Sequence, residues 1–168
     1  MLLARKVLVA KWAKAHAELD APVPADPLGD LKTDNNELSV WEVADDLADL
    51  DDLIAAMASV FENLSSCDVA LVSEDSVLSR GIGWRSSPGY TRIARAEARH
   101  RDLHSLTGAD LVSIAEVFRR GSFHMFQDRE VAVRLAAAVT RRDLDVDKLS
   151  RKWKALVVPL LLPNTGGA

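Results

Sequence analysis

Two short runs of β-forming residues bracket one strongly amphipathic stretch, and this arrangement constrains the fold more than any other feature. Residues 38–43 read LSVWEV and residues 67–72 read CDVALV, both rich in residues that suit a pleated sheet. Between them, DDLADLDDLIAAMASVFENL places Leu47, Leu50, Leu53, Ile54, Met57, Phe61 and Leu64 at three- and four-residue steps. Such steps share one face of a helix. Asp45, Asp46 and Asp49 then fall in its first turns, where the helix dipole favours negative charge. Strand, helix and strand within residues 38–72 predict a βαβ unit, with parallel strands if the two are adjacent.

The rest of the chain reads as helix and loop. Residues 2–19 form an expected first helix, and residues 20–37, with three prolines and paired asparagines, an aperiodic loop. Beyond Tyr90 the pattern is helical over residues 91–106. It resumes in TGADLVSIAEVFRRG, where Thr107 and Asp110 make a capping-box start and Gly121 a stop. Two more helices are expected at residues 128–142 and 146–157. The predicted fold is α+β and mostly α-helical: one domain over residues 1–168, with a small sheet holding the βαβ unit and then a C-terminal helical bundle.

Composition narrows the setting. A hydrophobic content of 48% supplies a core. The lone Cys67 has no intrachain partner, which points to a reducing, cytoplasmic compartment. Arg5, Lys6, Lys11 and Lys14 break up any secretory segment, and no stretch is apolar enough to span a bilayer, so no membrane is expected as partner.

The net charge of −4 hides a polarity. Residues 18–75 carry sixteen acids against Lys32 alone, whereas residues 76–168 carry sixteen bases and nine acids, the helical part at 76–157 being basic. Either the two parts neutralise each other, or the basic part presents a surface to a polyanion.

Three groups of residues are candidate sites. The loop and helix face bearing Arg80, Gly81, Gly83, Arg85, Arg92, Arg95 and Arg99 suit an anion or an acidic partner, because glycines expose backbone amides and arginines supply forked donors. The glycines do not complete a nucleotide-binding fingerprint. On a helix, Glu97, His100 and His104 share one stripe and offer zinc or iron ligands. Asp45, Asp46, Glu74 and Asp75 follow the two strands of the βαβ unit, and four carboxylates gathered at the strand ends suit a divalent cation.

No cofactor is expected beyond such a metal, and no catalytic set covers much of the chain. The leading expectation is a non-catalytic interaction or regulatory module with a bipolar charge distribution, binding another protein or a second copy of itself. A nucleic-acid-binding regulator, using the stripe at residues 80–101 and the basic helices after Arg119, is the first alternative, and a metal-dependent hydrolase the second. The last residues, 157–168, form an apolar tail. Its run VVPLLLP is expected to dock on the body or on a partner, and LPNTG at residues 162–166 matches the LPxTG signal read by sortases over those five positions alone.

Overall fold

The computed structural model describes residues 1–60 and 67–162. Among them runs a six-stranded sheet made of β1 (Leu2–Val7), β2 (Leu38–Val43), β3 (Asp68–Ser73), β4 (Trp84–Ser86), β5 (His100–Leu103) and β6 (Ser122–His124). The strand order is β4-β5-β2-β1-β3-β6, and every neighbouring pair is antiparallel.

This overturns the expected small sheet followed by a helical bundle. The chain begins as the central strand and turns helical only at α1 (Val9–Ala17). β1 is covered on both faces: Leu3 and Val7 are buried in one layer and Ala4 in the other. A strand buried on both sides has no period-two alternation to betray it.

The βαβ unit is split. β2 and β3 both pair antiparallel with β1, so they run parallel to each other with β1 between them. The crossover is α3 (Leu50–Val60), which begins later than its sequence pattern suggests. Leu47 adopts φ 61° in the preceding turn, so Asp45 and Asp46 lie in that turn, and the first helical turn holds Asp51 and Asp52. Phe61 and Leu64 lie outside the described residues.

The expected helix over residues 91–106 is also replaced. It contains the short α5 (Ala94–Glu97) and then β5. The β5 residues His100, Arg101 and Asp102 are polar, which hides the strand, but each has a partner across the sheet or a loop. The C-terminal half therefore supplies three strands.

Helices cover both faces. α3, α5, α7 (Asp128–Thr140) and α8 (Arg151–Leu161) build one layer around Ile54, Met57, Leu135 and Trp153. α1, α2 (Ala25–Leu28), α4 (Glu74–Leu78) and α6 (Gly108–Phe118) build the other around Trp12, Leu38, Ile114 and Phe118. Each large side chain buried in this way contributes about 1.5–3 kcal/mol. α6 starts on a complete capping box between Thr107 and Asp110. Arg5 is a charged residue in the central strand β1. Its guanidinium donates to Ser39 O at 2.7 Å and Asp30 O at 3.0 Å, and burial pulls its pKa down to about 10. Among the described residues, no helix is long and apolar enough to cross a membrane.

Candidate functional site

The acidic and basic parts of the chain meet along one seam. Arg99, just after α5, pairs with Asp49, and Arg95 pairs with Asp143 and, at 3.4 Å, with Asp52. From α7, Arg134 reaches Asp51 at 2.6 Å; just past its end, Arg141 reaches Asp52 at 2.5 Å. On the other face of the sheet Arg101 pairs with Glu42, and at the β4 edge Arg85 meets Glu37 at 2.5 Å. An exposed pair contributes only about 0–1 kcal/mol. What matters is the placement, because charges segregated along the sequence neutralise each other across the fold.

The seven residues of the anion candidate are consequently dispersed. Arg95 and Arg99 border a cleft of about 400 Å³ that they share with Trp41, Asp49, Asp52 and Leu53. Their charges there are already balanced by the two aspartates. The Trp41 indole N–H is buried without a hydrogen-bond partner among the described residues. Arg92 is exposed, Gly81 takes φ 76° in the turn after α4, and Gly83 lies against His104. Arg80 lines a different cleft, beside Arg120.

The structure does not gather the metal candidates, and among the described residues no group of three or more His, Cys, Asp and Glu side chains is placed to hold an ion. Glu97, His100 and His104 share a stripe only on a continuous helix, and the chain turns from α5 into β5 between Glu97 and His100. His104 contacts Ser105 Oγ at 3.1 Å beyond the strand end. The ends of β2 and β3 do flank one region, but β1 separates them. The Met1 amino group lies 3.1 Å from Asp45 Oδ1, while Glu74 accepts the Trp84 indole N–H at 2.7 Å.

One contact has no counterpart in the sequence reading. Ser87 Oγ lies 2.8 Å from His100 Nδ1, and His100 Nε2 lies 3.9 Å from Asp102 Oδ1. These are the residue types of a nucleophile, its base and an orienting acid. The last distance exceeds a hydrogen bond, and Asp102 instead accepts from Ser39 Oγ at 3.2 Å. Burial pulls the His100 imidazole below its ordinary value, which weakens it as a base. Gly89 presses on the ring so closely that a Cβ there would stand 3.0 Å from His100 Cβ. The geometry is that of a latch holding the loop at residues 87–90 onto β5.

The surface with the clearest unmet chemistry is the outer side of α8. Trp153 and Val157 face the core. Leu156, Val158 and Leu160 are 38–47% exposed and Leu162 is 65% exposed, with Ala155 and Pro159 exposed among them. The helix opens with Arg151, Lys152 and Lys154, so a basic turn leads into an apolar one. Apolar residues on every side of residues 155–162 are the sequence signal for such a surface, although the sequence does not say which of them turn outward. The final residues of the predicted tail, 163–168, lie outside the described residues.

No family model, curated protein or solved structure matches the chain.

Proposed function

We propose that this chain is a non-catalytic interaction module that binds another protein through the outer face of α8. The observation that carries the reading is the exposure of Leu156, Val158, Pro159 and Leu160 on a helix already anchored by Trp153 and Val157, with exposed Leu162 just past its end. A cluster of exposed apolar residues on one short segment marks an interaction site, and a helix with apolar side chains turned outward fits an apolar groove in its partner. The basic first turn suits a groove with an acidic rim. A reducing, cytoplasmic setting fits the free, buried Cys67. Nucleic acid is the weaker reading, because Arg95, Arg99, Arg101, Arg134 and Arg141 already have carboxylate partners.

Sedimentation velocity and affinity capture with the wild type and with the double variant Val158→Asp, Leu162→Asp test the reading. Both side chains are exposed, so the variant folds. The expected result is an assembly, with itself or with a captured partner, that the variant loses. A monomeric wild type whose captured proteins match those of the variant overturns the proposal.

A further inference from the structure

β6 leaves β3 early. Their ladder ends at Leu71–Ser122, whereas β3 continues through Val72 and Ser73. The Glu74 amide donates to Met1 O at 3.1 Å. By the alternation of an antiparallel ladder, Ser73 therefore turns its own backbone N–H and C=O to the opposite edge, the one that β6 has left. Gly121 brings the end of α6 flush against this edge, so close that a Cβ there would stand 2.3 Å from Leu71 O.

The opening beside it is a cleft of about 370 Å³. Its polar lining is Ser73, Ser76, Ser79, Arg80 and Arg120, and none of its lining residues is acidic. That is unusual in this molecule, where so many guanidiniums meet a carboxylate. Among the described residues Arg80 has no side-chain partner, and Arg120 makes only a 3.5 Å bond to Leu19 O. Ser79 donates its hydroxyl to Ser76 O at 3.1 Å, which leaves the hydroxyls of Ser73 and Ser76 for a ligand. Two forked cations, two hydroxyls and a strand-edge amide around one small space form a donor set that lacks an acceptor.

We propose that this cleft binds a phosphate-class oxyanion, with Arg80 and Arg120 as charge-assisted donors and the Ser73 amide, Ser73 Oγ and Ser76 Oγ completing the shell. The cleft is larger than a bare ion, which suits a phosphate monoester of a small molecule. The site is independent of the α8 surface.

Isothermal titration of the full chain at low ionic strength tests it, with inorganic phosphate in one arm and glycerol 3-phosphate in the other. The variants are Arg80→Gln and Arg120→Gln, with Arg92→Gln as an exposed arginine outside the cleft. The substituted side chains are exposed, so the variants fold like the parent. Saturable binding is expected, weakened about tenfold or more by either cleft variant and unchanged by Arg92→Gln. Tighter binding of glycerol 3-phosphate identifies an ester as the ligand class; equal binding of the two identifies the free anion. Absence of saturable binding in both arms overturns the proposal, and so does equal weakening by all three variants, which marks a general charge effect.

Discussion

Asp30 is the residue whose removal has the most calculable effect. Its carboxylate accepts from the Leu8 amide at 2.8 Å, Lys11 Nζ at 2.9 Å and Trp12 Nε1 at 3.0 Å, so one side chain ties the end of β1 to α1. The side chain is 10% exposed and Trp12 is fully buried. Replacing Asp30 with Ala strands a buried indole N–H at about 1–3 kcal/mol and loosens the Leu8 amide at about 1 kcal/mol. The half-exposed lysine pair adds about 0–1 kcal/mol. The expected loss is about 3 kcal/mol, which lowers Tm by about 6–12 °C in a chain of this size. Asp30→Asn keeps an acceptor and loses about half as much. The acid limb gives a second readout. Burial alone pushes the carboxyl up, but the bonds from Leu8, Lys11 and Trp12 outweigh it and hold it below its ordinary value. A depressed folded pKa stabilises above the unfolded value, near 3.8, and that stability disappears as pH falls through the lower folded value. Urea unfolding followed by tryptophan fluorescence at neutral and acid pH measures both. A cost under about 1 kcal/mol for Asp30→Ala, or a gap between wild type and Asp30→Asn that persists at acid pH, refutes the reasoning.

Two further outcomes follow from close packing. Gly121→Ala drives a Cβ into Leu71 O and within 2.8 Å of Val72 Cγ1, and overpacking of this kind costs about 1–3 kcal/mol; Gly108→Ala, with nothing within 4 Å at the start of α6, is neutral or stabilising, so equal unfolding midpoints for the two variants count against this close approach of Gly121 to β3. Cys67 is 1% exposed and burial pushes its thiol up to about 12, so its reaction with a thiol reagent at pH 8 proceeds only through opening of the fold and accelerates in urea, whereas immediate labelling of the native protein contradicts its placement.

What the sequence makes legible is local chemistry. The capping box of Thr107 and Asp110 marks the start of α6, and the three- and four-residue periodicity marks α3. What it hides are elements whose identity depends on distant partners. β1 is a strand because β2 and β3 flank it and helices cover both its faces, and both flanking strands come from distant parts of the sequence. β5 is a strand because Glu42, Ser39 and Ser87 satisfy Arg101, Asp102 and His100. Hydrophobic periodicity is blind to such residues. The sites behave likewise. The charge polarity is visible in the sequence, but the pairing of Arg99 with Asp49 is a product of topology, and Arg120 joins Arg80 only because α6 ends beside α4.

The seam also makes the two parts of the chain depend on each other for charge balance. Residues 1–75 carry sixteen acids and only five bases. That segment contains β1, β2 and β3, so these three strands pair within a stretch whose own charge is strongly negative. The opposing charges of Arg95, Arg99, Arg134 and Arg141 arrive only with the second half, on the elements that roof α3. The charge balance of α3 therefore depends on residues 95–141, which lie far from it in sequence.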